Sequence, residues 1–257
     1  MSTAAIPASS GEFETVVSGI EALSAWATGV RWDDLPEAVR RRAALVLADD
    51  LGAMIAARSD PECERLVTQM LRTGGPAQAS VFDGKGKRTD RYTAAAANAA
   101  AGTWCELDEG YRRTICHAGI YVVPALLAQG EASDATARDL VRSLAVAYEI
   151  VTRFARAFPG TTRHLHPHGC LAAVGAAAAV ALVRGVDEQQ LRSVLDAACC
   201  MVNPMPFDQA FGGALVRNVA AALGAGSGMR AADWAPLGIT ALATAPLGVF
   251  KLGFGAE

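Results

Sequence analysis

All four histidines of the sequence fall into two short segments, and histidine is the side chain that exchanges protons most readily near neutral pH. The first segment, CELDEGYRRTICHAGIYVVPALLA, contains Asp108 and His117. A carboxylate near an imidazole can orient the ring and tune its pKa, as general acid/base catalysis requires. Asp108 and His117 are therefore candidate catalytic residues.

The second segment, TTRHLHPHGCLAAVGA, carries His164, His166 and His168 in alternation. Three interpretations are open for it. The histidines could form a metal site with Cys170, although no complete second group of ligands accompanies them. The segment could also be an ordinary loop that enters a helix. In the third interpretation, it places a catalytic histidine at the mouth of a helical cavity.

The charged residues around His117 also have a plain alternative. Glu106, Asp108 and Glu109 could form a solvated acidic turn between helices. Arg112 and Arg113 could be ordinary surface charges. Taken alone, the motif favours this structural interpretation over a catalytic one.

Arg217 lies among small residues in the segment GGALVRNVAAALGAGSG. An arginine fork binds a carboxylate through two hydrogen bonds, so Arg217 could hold a substrate carboxylate. It could equally pair with a carboxylate of the protein such as Asp208. The glycines of the segment match neither dinucleotide-binding nor phosphate-binding loops, so nucleotide binding is not indicated.

Apolar residues recur at helical spacing through nearly the whole chain, which predicts a mainly helical domain. A short strand is expected at 79–82, within a small hairpin near Ala79 to Arg88. Ser133 and Asp134 are candidate caps for a long helix, and Asp187 with Gln190 resembles a capping box. Helices are predicted at 13–28, from Pro36 through Met54, at 61–71, from Arg91, at 136–158, from Asp187 towards Cys200, and at 214–234.

The composition excludes several classes of protein. The chain has 257 residues, 52% of them hydrophobic, and a net charge of -3, so it is neither disordered nor suited to nucleic acid or acidic membranes. The apolar run 170–183 is shorter than the ~18 residues of a membrane span. No signal peptide is visible, and the six cysteines lack a disulfide-like spacing. We expect a cytoplasmic protein.

Four stretches, in order along the chain, resemble the MmgE/PrpD family. This family includes 2-methylcitrate dehydratase, cis-aconitate decarboxylase and iminodisuccinate epimerase. The stretches are RWDDLPEAVRRRAALVLADDLGAMIAA, AAAANAAAGTWCELDEGYRRTICHAGIYVVPALLA, LHPHGCLAAVGAAAAVALVRGVDEQQL and VRNVAAALGAGSGMRAADWAPLGITA.

The resemblance implies an all-α fold: one domain over residues 1–257, similar to the helical N-terminal domain of the family, with at most a small β-hairpin. Residues 1–12 are expected to be flexible. Asp108, His117 and His166 match active-site residues of the family. Arg217 falls where members place a substrate-binding lysine or arginine.

The sequence departs from the family at two places. Glu109, Gly110, Tyr111 and Arg112 stand where the family has an Asp-rich run with a threonine. Tyr111, Arg112 and Arg113 are therefore expected to line the rim of the pocket and to alter its substrate preference. The chain also ends near the point where the family continues into an α+β lid domain. Three explanations are open: a separate lid-domain protein or a dimer mate covers the pocket, the substrate is larger than citrate, or the protein no longer performs the family reaction.

The resemblance further implies a lyase or isomerase that dehydrates, decarboxylates or epimerises a small or biosynthetic carboxylic acid. The reaction is proton transfer beside a carboxylate and requires neither a metal nor another cofactor. One alternative is a repurposed isomerase or cyclase for a bulky intermediate of secondary metabolism. Another is a non-catalytic accessory subunit of a split enzyme.

We expect a homodimer that binds a small-molecule carboxylate and neither nucleic acid nor membrane. The Ala- and Gly-rich helices at 170–183 and 219–228 would allow close packing between copies, and the family that the chain resembles is dimeric.

Overall fold

The structure, a computed structural model, describes residues 9–254 apart from the side chains of Thr162 and Arg163. The α-helices are α1 (Ser10–Gly29), α2 (Glu37–Ala56), α3 (Pro61–Arg72), α4 (Arg91–Trp104), α5 (Ala118–Ala132), α6 (Ala137–Ala157), α7 (Pro167–Arg184), α8 (Glu188–Cys199), α9 (Asp208–Phe211), α10 (Ala220–Trp234) and α11 (Ala245–Leu247). Short 3₁₀ turns lie at Trp32–Asp34, Ala57–Ser59, Pro159–Arg163, Leu215–Val219 and Ala235–Leu237, and a π-helix lies at Gly248–Gly253.

One two-stranded antiparallel sheet is present in the described part of the chain. It pairs β1 (Ala79–Ser80) with β2 (Arg88–Thr89), so that Ala79 faces Thr89. The predicted all-α domain with a small hairpin is therefore confirmed. Most of the segment expected to be flexible, residues 1–8, lies outside the described residues, whereas residues 10–12 form the first turn of α1.

Local hydrogen bonds explain where several helices begin. The Asp187–Gln190 capping box at the start of α8 is confirmed. The prediction of a Ser133 or Asp134 cap for α6 was wrong, because Thr136 makes the capping box with Asp139. Ser133 instead ends α5, where its N–H donates to the carbonyl of Gln129 at 3.0 Å.

Helix α7 is the centre of the core, with α5, α6, α8 and α10 packed around it. Glycines allow the backbones of α5 and α10 to approach the backbone of α7 closely. A Cβ atom on Gly228 of α10 would lie 2.2 Å from the carbonyl oxygen of Ala173, and one on Gly175 of α7 would lie 2.8 Å from that of Tyr121. The predicted close packing of small residues therefore occurs inside one chain. It gives no support to a contact between two copies.

Among the residues described, α7 is also the one helix long and apolar enough to cross a membrane. It has 18 residues, more than the run seen in the sequence, and 89% of it is buried inside the protein. Such burial is typical of a core helix, since a spanning helix of this kind exposes apolar residues to lipid.

Candidate active site

The first part of the site is an acid–imidazole pair at the start of α5. His117 is the residue before the helix, and its Nδ1 lies 2.9 Å from Oδ2 of Asp108. The Asp108 side chain is fully buried, whereas 26% of the His117 side chain is exposed. The two groups are close enough to form an ion pair, but the geometry of the contact is not that of a hydrogen bond.

Two opposing effects set the pKa of His117. Burial lowers it, but the contact with Asp108 and the negative charges of Asp108 and Glu109 outweigh the burial, so the pKa of His117 is raised. His117 therefore holds a proton at higher pH than an ordinary histidine does.

The second part of the site lies at the start of α7, where His166 is the N-cap residue. The backbone N–H of His168 donates to Nδ1 of His166 at 3.3 Å. Burial, together with the charge on His117, lowers the pKa of His166 to about 4. His166 is therefore neutral near pH 7, with Nδ1 as its acceptor nitrogen and its single ring proton on Nε2.

His168 connects the two parts. It is completely buried, and its ring centre lies 4.4 Å from that of His166 and 5.2 Å from that of His117. Its Nδ1 lies 2.8 Å from the hydroxyl of Tyr121, and burial lowers its pKa far below the usual value. His168 is therefore a neutral spacer that supports His166, while His164 is exposed on the loop.

Asp50, a residue of α2 that the sequence analysis missed, lies beneath the pair. It is fully buried, and neither carboxylate oxygen has a hydrogen-bond partner. Burial, reinforced by the charges of Glu109 and Asp108, raises the pKa of Asp50 well above its usual value. Asp50 lies four residues from both Val46 and Met54, so the apolar spacing of α2 already placed it on the core face.

Glu109 joins this acidic group to α5. Its carboxylate accepts the N–H of Gly119 at 2.5 Å and the hydroxyl of Tyr148 at 2.8 Å. Burial raises the pKa of Glu109 although both hydrogen bonds act to lower it. The interpretation of 106–109 as a solvated acidic turn therefore does not hold for Asp108 and Glu109, whose side chains are directed into the protein.

Arg217 is buried in the 3₁₀ turn before α10, and the structure gives it partners other than the histidines. Its guanidinium donates to the carbonyl of Thr103 at 2.8 Å and also to Glu106. Glu106 has a φ of 54°, a backbone conformation rarely adopted by residues other than glycine. The carboxylate that pairs with Arg217 is thus Glu106 rather than Asp208.

The model of the MmgE/PrpD N-terminal domain matches residues 21–255, which is most of the chain. The chain belongs to the MmgE/PrpD family. No curated protein matches the sequence. MmgE/PrpD is a family of the dehydratase and isomerase type. Asp108, His117, His166 and Arg217 all lie inside the matched range, so the site is part of the MmgE/PrpD domain.

The residues expected at the rim of the MmgE/PrpD site lie on the loop between Asp108 and His117. The N–H of Tyr111 donates to the carbonyl of Cys116 at 2.8 Å, and the Tyr111 ring packs edge-on against Tyr148. Arg112 and Arg113 are exposed on the next turn. Their position beside the pair is compatible with a rim, and their contact with a substrate stays a prediction.

Within residues 9–254, no three His, Cys, Asp or Glu side chains are arranged to hold a metal ion. The ring of His168 instead packs edge to face against those of His117 and His166. A cavity of about 690 Å³ lies between α1 and α6, and none of the predicted site residues lines it. Convergence of Arg217 with the histidines on one pocket stays a prediction.

Proposed function

We propose that this protein is a lyase or isomerase that transfers a proton at a carbon atom beside a carboxylate of a small or biosynthetic carboxylic acid. The observation that carries the proposal is that His117 and His166 both pack against the neutral ring of His168. Their surroundings push their proton affinities in opposite directions, which is how one site holds both an acid and a base at neutral pH.

The opposite shifts in pKa assign a role to each ring. Neutral His166 is the base that takes the proton from the substrate carbon, and the electron pair of the C–H bond stays on the substrate beside its carboxylate. His117 keeps its Nδ1 towards Asp108, so its Nε2–H is the donor. In dehydration that proton goes to the leaving hydroxyl, which departs as water. In epimerisation it goes back to carbon, and in decarboxylation it replaces carbon dioxide.

The helix starts at the two histidines favour an anion. His117 and His166 each precede the first turn of a helix, where the helix dipole favours negative charge. Arg217 is the proposed carboxylate ligand, and a substrate would have to displace Glu106 from it. Arg112 and Arg113 supply further positive charge on the exposed loop.

Hydrogen exchange at carbon tests the proton-transfer step, which dehydration and epimerisation share. The protein is incubated in D₂O with citrate, 2-methylcitrate, cis-aconitate, malate and succinate, and loss of C–H signals is followed by proton NMR. We expect exchange in at least one acid. His166→Ala and His117→Ala should each slow exchange at least ~100-fold.

His164→Ala is the matched control, because His164 belongs to the same histidine segment but is exposed. This variant should exchange like the wild type. Arg217→Ala should chiefly weaken binding, and Arg217→Lys should restore part of it. Exchange that is unchanged in His166→Ala would contradict the assigned base, and no exchange in any acid would favour an accessory protein.

A further inference from the structure

Two phenylalanines extend from the proposed base to the protein surface. The ring centre of Phe207 lies 5.0 Å from that of His166, and Phe211 stacks on Phe207 at 5.3 Å with an interplanar angle of 29°. We call Phe207 and Phe211 the aromatic shelf. The shelf is a continuous apolar surface that begins at the reacting centre.

Backbone hydrogen bonds hold the shelf against His166. The N–H of His166 donates to the carbonyl of Met205, and the N–H of Phe207 donates to the carbonyl of His164, both at 2.8 Å. These bonds form an isolated antiparallel bridge between Leu165 and Pro206. Because the bridge fixes the backbone of Phe207 beside that of His166, the two side chains start from neighbouring positions before any ligand arrives.

The outer part of the shelf is open to solvent. Phe211 is 86% exposed, and Leu215 and Val216, on the turn that packs against α9, are each more than half exposed. Exposed apolar patches next to polar groups are characteristic of binding sites. A substrate made only of carboxylates and hydroxyls would leave this surface unused.

We propose that the aromatic shelf is a substrate subsite that binds an apolar or aromatic substituent on the carboxylic acid. This inference rests on the proposed function, since it requires the reacting carbon to lie at His166. The substrate is then an acid with two ends: its carboxylate lies beside the histidines, and its substituent stacks on Phe207 and Phe211.

A matched pair of ligands tests the subsite by binding alone. Succinate and benzylsuccinate are titrated into the protein by calorimetry, since they share two carboxylates and differ by one benzyl group. We expect benzylsuccinate to bind at least about fivefold more tightly. Phe211→Ala should remove most of this preference and leave succinate binding unchanged.

Leu242→Ala is the matched control, because Leu242 is a similarly exposed apolar residue at 78% exposure and lies outside the shelf. It should retain the full preference. Equal affinity for the two acids, no binding of benzylsuccinate, or an undiminished preference in Phe211→Ala would each overturn the subsite. A dimer that dissociates in Phe211→Ala while the preference persists would assign the shelf to contact between copies.

The calorimetric preference does not depend on turnover, so it separates the two proposals. If the wild type showed no hydrogen exchange but still preferred benzylsuccinate to succinate, the proposed proton transfer would be overturned and the apolar subsite would be retained. Normal exchange without the preference would overturn only the subsite.

Discussion

His117 and His166 differ in proton affinity because of what lies next to each ring. A buried carboxylate contacts His117, whereas a neutral histidine and a phenylalanine contact His166. Burial lowers the pKa of both rings, so the difference comes from the charges: Asp108 and Glu109 raise the pKa of His117, whereas the charge of His117 lowers that of His166. The same two residues therefore determine how the rate should depend on pH.

The rate of hydrogen exchange should follow a bell-shaped pH profile. It should rise through the His166 pKa of about 4, because the base must be neutral. It should fall above the usual histidine value of 6.5, because the pKa of His117 is raised. Asp108→Asn should move the falling limb to lower pH. A wild-type profile with one transition near 6.5 would contradict these assignments.

Glu106 competes with a substrate for Arg217. Glu106→Gln removes the negative charge that pairs with the guanidinium, so succinate should bind about fivefold more tightly in calorimetry. Asp208→Asn is the control, since it removes an exposed carboxylate that does not pair with Arg217. Weaker succinate binding in Glu106→Gln would show that Glu106 positions Arg217 instead of blocking it.

Asp50 makes stability depend on pH. Its pKa is higher in the folded state, so the folded protein binds this proton more tightly and loses stability as pH rises above the unfolded value of about 4. Asp50→Asn should therefore raise Tm at pH 8 by a few degrees, and the gain should shrink towards pH 5. Asp49→Asn, at the exposed neighbouring position, should change Tm little at either pH.

At the scale of elements, the contact between α7 and α10 depends on glycine. A Cβ on Gly228 would meet three atoms of α7 within 2.7 Å, two of them backbone. Gly228→Ala should therefore destabilise the protein by about 1–3 kcal/mol in urea unfolding, although alanine favours helices.

Gly226→Ala is the matched control in the same helix, because its Cβ would meet only the flexible end of Arg230. It should be neutral or stabilising by up to about 1 kcal/mol. Equal losses in the two variants would show that helix geometry, rather than the close approach, requires the glycines.

Most helices could be predicted from the sequence because their signals are local. Helices α3, α6 and α8 end within a residue or two of their predicted bounds, since apolar spacing and capping residues lie in the same short stretch. Helix α5 gave no such signal. Its residues 118–130 are all buried, so it has no polar face, and Pro124 lies within it.

The site could be predicted only in part, since its contacts join distant segments. The histidines and Asp108 were found because their side chains are rare or distinctive and match the family. The pairing of Arg217 with Glu106 joins turns 111 residues apart, and no spacing rule indicates it. The complete burial of His168 could not be predicted either, because it depends on Tyr121 of another helix.

At the scale of the molecule, the structure removes one of the two arguments for the expected homodimer, which was the close packing of small residues between copies. The small residues of α7 and α10 pack against each other, and the resemblance to a dimeric family is what remains. We still expect a dimer in light scattering at micromolar concentration. A monomer under those conditions would contradict the prediction. In that case, Phe211→Ala should have the same mass in light scattering as the wild type.

The burial of α7 by α10 has a consequence for synthesis on the ribosome. A nascent chain that has emerged only through α8 already contains α7, which is as apolar as a membrane span, but lacks the helix that covers much of its surface. α10 also packs against α4, which precedes it by more than a hundred residues. We therefore expect the newly made protein to depend on chaperones until α10 has left the ribosome, and to aggregate when translation stops before residue 220.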